Sequence, residues 1–205
     1  MRQLNTIFQE EKDLLALREQ VASHPPEKTL IQVFYGATEQ RNVKALWSRL
    51  VELFPGAAIL GASSSGEIVN AHMMEHAIVV SVSLFDHTQV RTALVDQNDD
   101  LVAAGTLLGT ALAAHAPNAV IVFGCGLKNK NFFDNRPFLK SLHMSLGNIP
   151  IAGGQSGGYA ELESRPFVFT EQGLVDEGFA AAVLSGNKLC VHTARELGWV
   201  PIGKK

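Results

Sequence analysis

The 205-residue chain is predicted to be an α/β protein made of two duplicated β-α-β-β-type halves, with mixed sheets and helices on the outer faces. Two observations predict this class. Short apolar segments that end in glycine alternate with amphipathic stretches of helical spacing, which is the pattern of β–α units. The same order then occurs twice along the chain: strand, glycine, helix, short strand, glycine-rich cluster and further strands.

The first part of the chain contains an N-terminal helix and then the first set of alternating segments. The helix has an apolar stripe, and His24-Pro25-Pro26 ends it because proline cannot extend a helix. Thr38 is placed to cap the second helix, and Asp86-His87 is predicted to be the turn of a hairpin. In order, the predicted elements are a helix over 6–22, a strand over 29–35, a helix over 39–54, a short strand over 57–60, and strands over 77–85 and 89–95.

The second part repeats this order. Its first helix is rich in small residues and is predicted to be capped by Asn98 or Asp99. Gly147-Asn148 ends the next helix. In order, the predicted elements are a helix over 101–115, a strand over 119–123, a helix over 136–146, a short strand over 149–152, and strands over 166–170, 178–184 and 188–193.

Many of the 18 glycines fall into two clusters at corresponding places in the two halves. Leu60–Gly66 aligns with Ala152–Gly158 without a gap, although chance similarity between β–α units is an alternative explanation. Small residues let a ligand approach the backbone, and their amides can converge on an anion. Duplication predicts that both clusters lie near a pseudo-twofold axis and line one pocket. The predicted ligand-binding residues are Gly61, Ser63, Ser64, Ser65, Gly66, Cys125, Gly153, Gly154, Gln155 and Ser156.

Composition excludes several classes of protein. A net charge of −3 leaves no basic footprint for nucleic acid, and no apolar run approaches the roughly 20 residues that span a bilayer. The N-terminus lacks the apolar centre of a signal peptide, and two cysteines are too few for a disulfide framework. We therefore expect a cytoplasmic protein that neither inserts into membranes nor binds nucleic acid.

Two other kinds of site stay open as alternatives. Ser156 lies in the glycine-any-serine-any-glycine spacing of hydrolases, but a hairpin-like stretch, and not a helix, is predicted to follow it. Cys125, between two glycines, is a candidate for a thiol enzyme. His143 and His192 are candidate haem ligands, although no spacing demands haem. The leading interpretation has no catalytic residue, no metal and no cofactor.

Three segments together resemble the signatures of the FIST N-terminal sensory domain family. Residues 54–68, from a proline-glycine turn through the first cluster to Glu67-Ile68, resemble its first signature. Residues 149–154 resemble its second, double-glycine signature. Ser185-Gly186, followed by residues 198–203, resembles its closing signature.

The resemblance implies a bacterial intracellular signal-input domain. Such a domain would bind a small polar molecule, for which amino acids are suggested, and signal to an output domain such as a diguanylate cyclase or a histidine kinase. Some relatives are haem proteins that sense nitric oxide. We expect a helix and linker over 1–28 and the sensory domain over 29–203, with halves of about 29–96 and 119–193. The chain is expected to be a fragment of a longer signalling protein, and a homodimer is left open.

Overall fold

The computed structural model describes residues 1–36, 40–96, 100–128, 131–132, 134–158 and 165–194. Helices and strands are interleaved, which confirms the α/β class. The first group of elements is β1 (Arg2–Ile7), α1 (Glu11–Val21), β2 (Thr29–Tyr35), α2 (Gln40–Leu53), β3 (Ala58–Ser63), β4 (Glu67–Val69), β5 (His72–Met74) and β6 (Ile78–Leu84). The second group is β7 (Gln89–Asp96), α3 (Leu101–Ala113), β8 (Ala119–Cys125), β9 (Leu127–Lys128), β10 (Asn131–Phe132), α4 (Arg136–Leu146), β11 (Ile151–Ser156), β12 (Val168–Thr170), β13 (Gly173–Val175) and β14 (Gly178–Ser185).

Two mixed sheets form the centre of the described structure. The first has the strand order β1-β6-β2-β3-β12-β13, and the second has the order β11-β8-β14-β7. Strand β2 is parallel to β3, and β8 is parallel to β11, whereas the other pairs in both sheets are antiparallel. The prediction of mixed sheets is therefore confirmed.

The helices lie on the outer faces of the two sheets, as predicted. Apolar residues of α1 and α2 pack on one face of the first sheet, and those of α3 and α4 pack on one face of the second. The remaining faces pack against each other through small and branched side chains such as Leu60, Ala180 and Ala182. The result is four layers, helix–sheet–sheet–helix, with three apolar interfaces that remove both faces of each central strand from water.

The register of the strands confirms the duplication. In the first sheet Val33 pairs with Gly61 on one side and with Val80 on the other. In the second sheet Val122 occupies the same position between Gly153 and Ala181. Gly61 and Gly153 are therefore equivalent, as the gap-free alignment of the clusters requires.

The repeat begins earlier than the predicted halves of 29–96 and 119–193. Strand β1 and helix α1 precede β2 as β7 and α3 precede β8, and β1 pairs with β6 as β7 pairs with β14. The equivalent units therefore run over 2–84 and 89–185. The predicted helix over 6–22 covers only 11–21, because residues 2–7 instead form the edge strand β1.

Two predicted strand features are wrong. Asp86-His87 is not a hairpin turn, because β6 and β7 belong to different sheets and each finds its partners elsewhere. Residues 85–88 carry the chain from one sheet to the other. The predicted strand over 188–193 is absent from the described residues 186–194, where the chain makes a turn and then continues without regular structure.

The predicted helix caps have different outcomes. Asp100, and not its predicted neighbours, caps α3, because its side chain accepts hydrogen bonds from the amides of Val102 and Ala103 at 3.0 and 2.9 Å. Asn98 and Asp99 lie outside the described residues, as does Thr38, the predicted cap of α2.

Candidate functional site

The two glycine-rich clusters are in direct contact. The hydroxyl of Ser63 donates to the carbonyl of Gly157 at 2.6 Å, and the amide of Gly157 donates to the carbonyl of Ser63 at 2.9 Å. Ser65 Oγ also donates to the carbonyl of Gly158 at 3.2 Å. The clusters therefore lie together, as the predicted duplication requires. The polar groups of these contacts bond one cluster to the other.

The other residues of the first cluster have partners within the protein. Ser64 Oγ donates to Glu67 Oε1 at 2.5 Å, and the second oxygen of this buried carboxylate accepts from the amide of Ala77 at 3.1 Å. The ring of Phe169 lies against Gly61, where any β-carbon would collide with it. Gly66 follows at the exposed start of the β4–β5 hairpin. The role of this cluster in ligand binding stays a prediction.

A cavity of about 240 Å³ lies beside the second cluster, between β11 and the first turn of α4. Gly153, Gly154 and Gln155 of the predicted site line it, and Ser63, Ser64 and Ser65 do not. No charged side chain is found among its described lining residues. The lining consists of Val122, Gly124, Asn135, Phe138, Leu139, Ile151, Ala152, Gly153, Gly154, Gln155 and Phe179.

The cavity is present because the edge of the first sheet is covered by a further hairpin and, in the described part of the chain, the corresponding edge of the second sheet is not. In the first sheet the β12–β13 hairpin pairs with β3 and covers its edge. In the second sheet β11 is the edge strand of the described structure, and residues 152–155 are exposed. Gly153 has a φ of +151°, and a β-carbon there would meet the carbonyl of Val122, so only glycine is compatible with this position.

Asn135 is a polar lining residue that no sequence motif indicated. It occupies the N-cap position of α4 without capping the helix, and it is 8% exposed. Its Nδ2 donates to the carbonyl of Cys125 at 3.5 Å, and its Oδ1 has no hydrogen-bond partner among the described residues. Buried polar atoms normally have hydrogen-bond partners, so an acceptor left without one beside the cavity is unusual. An asparagine before a helix predicts a cap, and nothing local signals its burial.

Cys125 and Ser156 lie in the interior at the ends of β8 and β11. Cys125 is 0% exposed, packs between the two sheets and does not line the cavity. Burial raises the pKa of its thiol, although hydrogen bonds with Gly178 and Ser156 oppose the shift. Ser156 Oγ donates to the carbonyl of Gly124 at 3.3 Å and is also buried. A protonated, enclosed thiol and a hydroxyl directed at a carbonyl are poor nucleophiles.

The two candidate haem ligands are exposed. His143, on α4, lines a hollow of about 450 Å³ with residues 149–151, Thr193 and Ala194. His192 lies after the last strand, with its Nε2 3.2 Å from Cys190 Sγ. Among the described residues no group of three or more histidines, cysteines and carboxylates could hold a metal ion. Haem binding stays a prediction.

The comparison with protein families decides what kind of domain this is. The model of the FIST N domain matches residues 29–205. The chain belongs to the FIST N family. FIST domains are sensory domains of signal-transduction proteins. A search of curated proteins found no match.

For the FIST N chain the match covers the second unit, the first unit from β2 onward, and both glycine-rich clusters, and it leaves out β1 and α1. It includes residues 198–203 of the closing signature, which lie outside the described residues. Residues 159–164, shortly after Ser156, also lie outside them. In the described part of the chain no helix is long and apolar enough to cross a membrane.

Proposed function

We propose that this FIST N domain is a non-catalytic input module that binds a small molecule in the cavity between β11 and α4. The signal produced by binding would be transmitted to an output or partner domain of a longer signalling protein, such as a diguanylate cyclase or a histidine kinase. The cytoplasm is the proposed location.

The observation that carries the proposal is the combination of the cavity with Asn135 Oδ1. The cavity contains part of a predicted glycine-rich cluster, and this oxygen has no partner among the described residues. A largely apolar cavity with a few polar groups is the usual form of a small-molecule site.

A path for the signal leaves the cavity through the second cluster. Gln155 lines the cavity, and Gly157, two residues further on, is bonded to Ser63 at the end of β3. A change in the position of β11 therefore acts directly on the first sheet. Ligand binding can shift such an equilibrium only if one arrangement binds the ligand more tightly.

A cavity-filling variant tests the proposal. Purified protein is screened by thermal shift against amino acids and other metabolites, and each hit is confirmed by isothermal titration calorimetry. Leu139→Trp enlarges a half-exposed side chain that lines the cavity, whereas Met144→Trp makes a similar change on the same helix away from it. We expect Leu139→Trp to abolish binding and Met144→Trp to preserve it. A ligand that both variants bind equally well, or a screen without any hit, contradicts the proposal.

A further inference from the structure

The duplicated fold contains the same slot twice, and in the first half a side chain of the protein fills it. The slot lies over Gly61, on the helix-facing side of the first sheet. Phe169 of β12 occupies it, and Trp47 of α2 secures the strand by donating from Nε1 to the carbonyl of Thr170 at 2.7 Å. Counting back from the aligned glycines without a gap, Trp47 corresponds to Leu139 of α4.

In the second half the corresponding slot, over Gly153, is the cavity. The β4–β5 hairpin has the same three-two-three pattern as β12–β13, and Ile68 corresponds to Phe169. Ile68 is 75% exposed because its hairpin does not pair with β11. Nine residues, 159–167, separate Gly158 from β12, whereas β4 follows Gly66 directly, so the first hairpin lacks the length to make the equivalent pairing.

From this comparison we infer that the ligand of the cavity is a small neutral aromatic molecule that carries an N–H or O–H donor; the inference rests on the proposed function. An aromatic ring fills the equivalent slot in the first half. The walls here include Phe138 and Phe179, which stack with their ring planes 6° apart. Aromatic rings favour such surroundings through edge and stacking contacts.

Size and charge agree with this class of ligand. An apolar cavity of about 150 Å³ holds benzene, and this one, at about 240 Å³, has room for a ring with a fused ring or a small substituent. The described lining carries no charge, and burying an unpaired charge is costly, so a neutral molecule fits best.

Asn135 is the reason why the aromatic ligand is expected to carry a hydrogen-bond donor. Its Nδ2 faces the carbonyl of Cys125, so the acceptor oxygen is the part of the amide that needs a partner. The terminal torsion of asparagine is broad, and the 3.5 Å bond to Cys125 is long, so a small rotation presents Oδ1 to the cavity. A ligand N–H or O–H then satisfies a buried acceptor that is otherwise without a partner.

The test compares indole with benzofuran, which has nearly the same shape but an oxygen in place of the N–H group. Isothermal titration calorimetry is performed on the wild type, Asn135→Leu and Leu139→Trp, and the folding of each is checked by thermal unfolding. We expect saturable binding of indole to the wild type and roughly tenfold weaker binding of benzofuran, the value of one hydrogen bond. Asn135→Leu should bind both compounds equally, and Leu139→Trp should bind neither.

Equal affinity of the wild type for indole and benzofuran overturns the role of Asn135 as the acceptor for a ligand donor, even if the variant fails to fold. Absence of binding by both compounds, together with a hit of another class that Leu139→Trp blocks, overturns the aromatic class and leaves the proposed function intact. Absence of any ligand that Leu139→Trp blocks overturns both.

Discussion

Replacing Ser63 with alanine tests the contact between the two glycine-rich clusters. Ser63 is 6% exposed, and its hydroxyl donates to the carbonyl of Gly157 at 2.6 Å and accepts from the amide of Phe167 at 3.0 Å. Alanine removes both bonds and leaves the two backbone groups without this partner. Because each buried group left unsatisfied costs about 1–3 kcal/mol, we expect Ser63→Ala to lower the free energy of unfolding by about 3 kcal/mol.

Urea unfolding followed by circular dichroism measures this loss, and the melting temperature should fall by roughly 6–12 °C for a chain of this length. Ser65→Ala is the matched control, because its hydroxyl bonds to the carbonyl of Gly158 at an exposed position. The control should lose less than about 0.5 kcal/mol. If the two variants differ by less than that amount, the clusters do not hold the halves together through Ser63.

Three further predictions concern packing, capping and thiol chemistry. Gly61→Ala should lower the free energy of unfolding by about 1–3 kcal/mol, because the added methyl group meets the ring of Phe169. In the control variant Gly154→Ala the methyl group enters open space, so the melting temperature should stay nearly unchanged. Asp100→Ala should cost about 1 kcal/mol in urea unfolding, through the loss of two hydrogen bonds at the start of α3, and an unchanged midpoint would contradict the cap. Because burial raises its pKa, the Cys125 thiol should stay protonated at pH 8. Iodoacetamide should therefore modify the exposed Cys190 before Cys125, which peptide mass spectrometry of the folded protein measures. Equal modification rates of the two cysteines would refute the burial of Cys125.

Elements with a strong local pattern could be predicted closely from the sequence. Thr29–Tyr35 and Arg136–Leu146 have the predicted limits, because a β-branched run and an apolar stripe after a proline specify a strand and a helix locally. The glycine-rich clusters were also aligned in the register that the strands adopt. Internal similarity therefore gave correct long-range information without any knowledge of the sheet.

Features that depend on which distant strand or helix an element packs against could not be predicted in this way. Asp86-His87 has the local form of a hairpin, but β6 and β7 join different sheets, since each makes longer pairings with distant strands. Of the candidate site, only Gly153, Gly154 and Gln155 line the cavity. The contribution of Asn135 depends on burial created by α4 and β8, which no short sequence pattern encodes.

The β12–β13 hairpin has a consequence for how the chain reaches its native state. It comes from the second repeat but adds to the first sheet, where Thr170 pairs with Leu60 about a hundred residues earlier. The first repeat therefore cannot complete its sheet until nearly all of the second has been synthesised. The two structurally equivalent units are therefore not expected to fold separately. Cleavage between residues 84 and 89 should yield two polypeptides that fold only in each other's presence, and the intact domain should unfold in a single cooperative transition.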